Sequence, residues 1–167
     1  MKLILAADKN WAIGNKGGLL CHLSGDLKYF KERTQGKTVV MGRPTLESLP
    51  GGKPLPKREN IVLTTRADYA PEGVLVVHSA VELDEVLARR EPDQVMLIGG
   101  GKVYRDFLSR CDTCYITKIY DAFEADTWFV NLDEMAEFQV VWKSDMQEEN
   151  GIPYQFFEYR RIDCGEK

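Results

Sequence analysis

Gln94-Val95-Met96-Leu97-Ile98-Gly99-Gly100-Gly101-Lys102-Val103-Tyr104 is the segment from which the architecture follows. Its first five residues are largely apolar without polar alternation, the pattern of a strand covered on both faces. Three glycines end the run, and a short helix is predicted from about Lys102 to Leu108. A strand that feeds a helix through residues without side chains belongs to a largely parallel sheet flanked by helices. It also lets backbone N–H groups and a positive helix end meet a phosphate. A tight turn with no ligand needs glycine just as much. The spacing is not G-x-G-x-x-G, because the third position after Gly101 is Tyr104, so a Rossmann fingerprint is unsupported.

On either side of this segment the same grammar repeats. Leu3–Ala7, Thr38–Met41, Asn60–Leu63, Val74–Val77 and Tyr115–Ile119 read as strands. Phe138–Asp145 and Tyr154–Arg161 are separated by a segment holding Asn150-Gly151, a pair that folds strands into an antiparallel hairpin. The sheet is therefore mixed. A first helix is predicted from Ser24, with Ser24 as cap candidate and Asp26 as first-turn acid, ending near Gly36. Pro44 opens a second, and Ser79 with Glu82 has capping-box spacing for a third. The expectation is an α/β chain with one domain over 1–162 and a short tail over 163–167.

The composition excludes several function classes. The chain has 167 residues, 44% apolar and 29% charged, and a net charge of −4, which suits one water-soluble globular domain with a substantial core. The acidic balance argues against nucleic acid as the main partner. The apolar run Leu3–Ala7 is too short for a signal sequence or a membrane span, so no membrane association and a cytoplasmic location are expected. Cys111 and Cys114 make a C-x-x-C, but no second pair exists, the only histidines are His22 and His78, and the motif leads into a strand. Thiols, with no metal, are expected.

Two further strand ends carry candidate binding residues. Val40-Met41-Gly42-Arg43-Pro44-Thr45 repeats the strand-to-helix junction with an arginine at its mouth. Thr64-Thr65-Arg66 ends another strand with hydroxyls and a guanidinium, a suitable grip for a phosphate such as the 2′-phosphate of NADPH. Each arginine also reads as a solvated surface charge. Strand carboxyl ends are nevertheless where α/β sheets bind ligands. Asp26, between Leu23, Leu27 and Phe30, reads either as a carboxylate that stabilises its helix through the dipole or as a lone acid in an apolar cleft, able to accept paired hydrogen bonds from a flat heterocycle.

Taken in order, Ile13-Gly14, Leu23, Asp26-Leu27, Phe30-Lys31, Thr34, Met41-Gly42-Arg43, Thr45, Ser48, Pro54-Leu55-Pro56, Arg58, Asn60-Ile61-Val62-Leu63, Ile98-Gly99-Gly100-Gly101 and Asp126-Thr127 resemble the successive landmarks of the dihydrofolate reductase family, bacterial type. The resemblance runs from residue 1 to about residue 160. It implies a central eight-stranded sheet and an oxidoreductase that reduces dihydrofolate to tetrahydrofolate with NADPH, in support of one-carbon metabolism and thymidylate synthesis. It further implies sensitivity to antifolate inhibitors and a monomeric state.

Site roles implied by the resemblance follow position by position. Asp26 holds the pterin's N3 and 2-amino groups, Thr117 completes that network, and the carbonyls of Ile4 and Ile98 border the ring. Leu27, Phe30, Leu49 and Leu55 wall the aminobenzoyl group, while Arg58, assisted by Lys53, binds the glutamate α-carboxylate. Ala6, Ile13 and Gly14 contact the nicotinamide side. Gly42, Arg43, Pro44, Thr45, Thr64, Thr65, Arg66, His78 and the run Gly99, Gly100, Gly101, Lys102, Val103, Tyr104 hold phosphates and adenosine. A cis peptide is implied between Gly99 and Gly100, and a lid over about 9–23, with Gly14, Gly17 and Gly18, closes over the nicotinamide.

Two positions depart from the family's pattern. Leu20-Cys21 stands where the family almost always has Pro-Trp, which places Cys21 beside proton delivery. His78 stands where lysine or arginine often contacts a cofactor phosphate. A related reductase of riboflavin biosynthesis is disfavoured by Asp26, Phe30 and Arg58, and a catalytically dead nucleotide binder has only Cys21 in its favour.

Overall fold

A computed structural model describes residues 1–162, with the tail expected over 163–167 and Cys164 outside the described residues. Among the described residues eleven strands and four α-helices follow one another as β1 (Lys2–Ala7), β2 (Ala12–Gly14), α1 (Ser24–Thr34), β3 (Thr38–Gly42), α2 (Arg43–Ser48), β4 (Glu59–Leu63), β5 (Leu75–Val77), α3 (Ala80–Leu87), β6 (Val95–Gly99), α4 (Gly101–Phe107), β7 (Thr113–Ile119), β8 (Thr127–Trp128), β9 (Phe138–Lys143), β10 (Gln147–Glu149) and β11 (Ile152–Arg161). The central sheet has the order β10-β11-β7-β1-β6-β3-β4-β5, and β9 also pairs with β11. Because β9 and β10 succeed one another along one edge of β11, nine strands fill eight positions. Pairings from β7 to β5 are parallel, and those of β11 are antiparallel.

The unalternating apolar runs are explained by two cores, one on each face. Leu3, Leu5, Val40, Val95 and Leu97 pack with Leu83 of α3 and Val103, Tyr104 and Phe107 of α4. Ile4, Val39, Met41, Met96 and Ile98 pack on the opposite face with Tyr29 of α1 and Leu46 of α2. Successive strand residues point to opposite faces, so strands covered on both sides must be apolar throughout.

Two local expectations are corrected. Ser24 does not cap α1: the N-cap is Leu23, without a side-chain bond. The cap comes from β10, where the Glu149 carboxylate accepts from the Ser24 N–H at 2.9 Å, the Ser24 hydroxyl at 2.9 Å and the Gly25 N–H at 3.3 Å. The strand expected over Phe138–Asp145 stops at Lys143, because the Ser144 hydroxyl accepts from the Phe156 N–H and disturbs the ladder. The hairpin turn itself is at Asn150-Gly151, with φ of 54° and 79°, the left-handed pair that a two-residue loop requires.

Candidate active site

The site is located by a parting of strands. β1 pairs with β6 only at Lys2 and Leu3, whereas it stays paired with β7 through Ala7. From β1 the chain runs through α1 to one side of the sheet, and from β6 through α4 to the other, so this gap is the topological switch point where α/β sheets bind ligands. The Ile4 carbonyl lies in the gap and accepts from the Tyr104 hydroxyl at 2.7 Å. Burial pushes the Tyr104 phenol well above its ordinary pKa, so it remains a donor.

Asp26 stands at the α1 side of this crevice. Thr117 of β7, paired in register with Ala6 of β1, donates its hydroxyl to Asp26 Oδ1 at 2.6 Å. Burial raises the Asp26 pKa, and the Thr117 bond offsets that only in part. One lone pair of Oδ1 is thus taken by the protein. Leu27 is 46% exposed, an apolar side chain on the open wall beside the acid, while Leu23 is buried against Ile119 and Tyr154. Leu23 and Phe30 pack in two neighbouring clusters, and Phe156 packs against both.

Phe30, Leu49 and Leu55 pack against the same core cluster. Arg58 is anchored by its Nε to the Pro56 carbonyl and by NH1 to the Thr34 hydroxyl, both at 2.9 Å. Thr34 is eight residues along α1 from Asp26, so Arg58 is tied to the same helix roughly 12 Å away. Lys53 is exposed.

The two glycine junctions touch. A Cβ on Gly99 or Gly100 would lie 3.2 or 3.3 Å from the Thr45 hydroxyl, one on Gly42 3.1 Å from a Val103 methyl, and one on Gly101 only 2.5 Å from the Thr127 methyl. The ends of β3 and β6 and the segment at Thr127 thus make one backbone-lined edge without room for side chains. Gly99 has φ 138°, and the Gly99-Gly100 peptide is cis. Such an edge, with Thr45, Lys102 and Arg43 around it, fits an extended phosphate-bearing cofactor. Arg43 and Lys102 are engaged along their own helices, by Glu47 at 2.9 Å and Asp106 at 2.8 Å. Sequence inspection missed both partners, although the i,i+4 spacing signals them.

At the end of β4, the Arg66 N–H donates to the Thr64 hydroxyl at 3.1 Å, and His78 Nδ1 lies 2.9 Å from the Thr64 carbonyl. A carbonyl only accepts, so Nδ1 carries the hydrogen. Arg66, Thr65 and His78 are exposed, and Arg66 makes no ion pair among the described residues. Pro44 and Thr45 lie in the first turn of α2, and Ile13 and Gly14 lie on β2, which pairs with β8. Gly18 lies in a turn closed by two backbone bonds with Asn15, and its carbonyl would lie 3.3 Å from a Cβ on Gly14.

Cys21 packs beside Leu23, Ile119 and Tyr154. Burial raises its pKa, and the Asp26, Asp121 and Glu149 carboxylates add to the effect. Cys111 and Cys114 are buried, and burial pushes Cys111 up to about 12 and raises Cys114 as well. The thiol form of each is the stable one. No group of three or more metal-ligating side chains occurs among the described residues, and no helix is long and apolar enough to cross a membrane.

A family profile described as dihydrofolate reductase matches residues 1–161. A dihydrofolate reductase of Bacillus subtilis is 36% identical over 163 residues, covering 96% of this chain and 94% of the relative. One from Haemophilus influenzae is 40% identical over 148 residues, covering 87% and 89%. A solved structure, dihydrofolate reductase from Enterococcus faecalis complexed with NADP(H) and RAB-propyl, superposes with a TM-score of 0.87 at 38% identity, covering 97% of this chain and 96% of that one.

Proposed function

The chain belongs to the dihydrofolate reductase family and reduces dihydrofolate to tetrahydrofolate with NADPH; we propose that Asp26, the crevice between β1 and β6 and the joined glycine edges carry that reaction. The observation that carries the reading is the Thr117–Asp26 bond at the mouth of the crevice. It leaves Oδ2 and a second lone pair on Oδ1 of a burial-perturbed carboxylate to accept the paired hydrogen bonds of a flat ring.

When bound, NADPH supplies the hydride that goes to C6 of dihydrofolate. Asp26 accepts from the pterin's N3 and 2-amino groups and, ionised, favours the ring protonated at N5, the proton arriving through a water. Thr117 holds the carboxylate in position. The Ile4 and Ile98 carbonyls border the ring. Leu27, Phe30, Leu49 and Leu55 enclose the aminobenzoyl group, and Arg58, with Lys53, receives the terminal carboxylate. Ala6, Ile13 and Gly14 face the nicotinamide, with Gly18 in the lid that covers it. Gly42, Arg43, Pro44, Thr45 and the run Gly99–Tyr104 hold the pyrophosphate and adenosine. Thr64, Thr65, Arg66 and His78 receive the 2′-phosphate. Cys21, held as a thiol, sits beside the path of the proton. Antifolates occupy the pterin crevice. We read the protein as a single catalytic domain over 1–162 that works as a cytoplasmic monomer.

The test is loss of NADPH absorbance on mixing purified protein with NADPH and dihydrofolate, repeated with NADH. Arg66→Gln is expected to raise KM for NADPH about 10-fold or more, the worth of a charge-assisted bond, and to leave KM for NADH unchanged. Equal effects on both cofactors remove Arg66 from the 2′-phosphate.

A further inference from the structure

Asp8 takes no part in the site as described, yet it is only 4% exposed. Its carboxylate is engaged on both oxygens by backbone. Oδ1 accepts from the Asn10 N–H at 2.8 Å and the Ala12 N–H at 2.9 Å, and Oδ2 accepts from the Phe123 N–H at 3.0 Å. Two backbone bonds close the same turn, from Asp8 N–H to the Ala12 carbonyl and from Trp11 N–H to the Asp8 carbonyl, both at 2.9 Å.

Within this turn Trp11 has φ 62°, the left-handed region that a bulky L-residue avoids unless its surroundings over-determine it. Those surroundings are present. The Asp8 carboxylate binds the residue on each side of Trp11, and the Trp11 carbonyl accepts from the Phe129 N–H at 2.8 Å. The ring packs against Phe129 and Tyr159 and lies under the Lys118 ammonium. β2 begins at Ala12, the next residue, so this turn aims Ile13 and Gly14.

We propose that Asp8 is a positioning residue for hydride transfer: its carboxylate ties the turn 8–12 to the segment at Phe123 and thereby fixes Ile13 and Gly14 against the nicotinamide site. The inference rests on the reading that these two residues face the nicotinamide. The role requires an acceptor at both oxygens. An amide of the same size has one acceptor oxygen and two N–H donors, so Asp8→Asn sets donor against donor, either at Phe123 or at the pair Asn10 and Ala12.

The experiment measures the hydride-transfer rate in a single turnover, with NADPH bound beforehand and then with NADPH deuterated at the transferred position, alongside steady-state KM for dihydrofolate. A wild-type protein that fails to oxidise NADPH with dihydrofolate overturns the proposed reaction at this site and leaves the geometry of Asp8 as found. With an active wild type, Asp8→Asn is expected to slow hydride transfer about 10-fold or more, because misplacement by about 1 Å costs on the order of 100-fold. KM for dihydrofolate stays within about twofold, the split expected of a residue that does not bind substrate. A merely structural role would lower the melting temperature and leave the rate well below that temperature unchanged. Phe123→Pro is the second variant, since it deletes the N–H on the far side of the carboxylate without altering residues 8–12, and it is expected to slow the same step. A folded variant of either kind that transfers hydride at the wild-type rate overturns the proposal, and Phe123→Pro decides it alone if Asp8→Asn does not fold.

Discussion

At the scale of the residue, two opposing influences set the behaviour of Asp26. Burial disfavours its ionised form, and the Thr117 hydroxyl favours it; burial wins, so the acid stays protonated to a higher pH than an ordinary aspartate. Ionisation matters because a carboxylate stabilises a protonated ring and an amide does not. Asp26→Asn is expected to lower kcat about 100-fold or more near neutral pH, the usual worth of a positioned acid–base group. Part of the loss returns in acid, where solvent protonates the substrate directly. A pH–rate profile of the variant checks both halves, and a flat profile at wild-type rate removes Asp26 from the mechanism. Asp26 and Thr117 were both named from the sequence, and the structure puts them in contact. The partners of Arg43 and Lys102 were not, because a basic residue at a strand end has the same sequence pattern whether it meets a phosphate or a carboxylate four residues along its helix.

At the scale of the element, α1 shows what local signals reveal and what they miss. Its acid and its approximate limits were legible, since a first-turn carboxylate and Gly36, with φ 80°, mark the two ends of a helix. Its cap was not, because Glu149 is 125 residues from Ser24 and only tertiary folding joins them. The three bonds to the start of α1 hold the Glu149 pKa below that of an ordinary glutamate. A lowered folded-state pKa means stability that is present above the unfolded-state value and lost as pH falls through the folded one. Glu149→Gln is therefore expected to lower the melting temperature at pH 7, with the gap to wild type closing toward pH 3. Thermal melts by circular dichroism across that range check it, and an equal deficit at both ends would assign the effect to shape instead of charge. Glu149 is only partly buried, so solvent screening keeps the effect small.

At the scale of the whole molecule, the doubly covered sheet was legible because strands buried on both faces are apolar at every position, as in Val95-Met96-Leu97-Ile98. The parting of β1 from β6 was not, since no residue of either run encodes which neighbour it leaves and where. That parting opens the crevice, and the fold must tolerate an acid inside it. Asp26 has a raised pKa in the folded protein, so its contribution to stability is full in acid and is lost as pH rises through the folded-state value. At neutral pH the native state therefore holds a desolvated charge that the unfolded chain hydrates freely. Asp26→Asn, which removes the charge and keeps an acceptor oxygen for Thr117, is expected to melt above wild type at pH 7. The difference narrows as pH falls below the ordinary carboxylate range, where both proteins are neutral at this position. Calorimetry of the two proteins at matched pH, without ligands, measures it. A variant that melts at or below wild type at pH 7 would mean that the ionised carboxylate is adequately solvated in the open crevice, and that its reactivity does not come at the cost of stability.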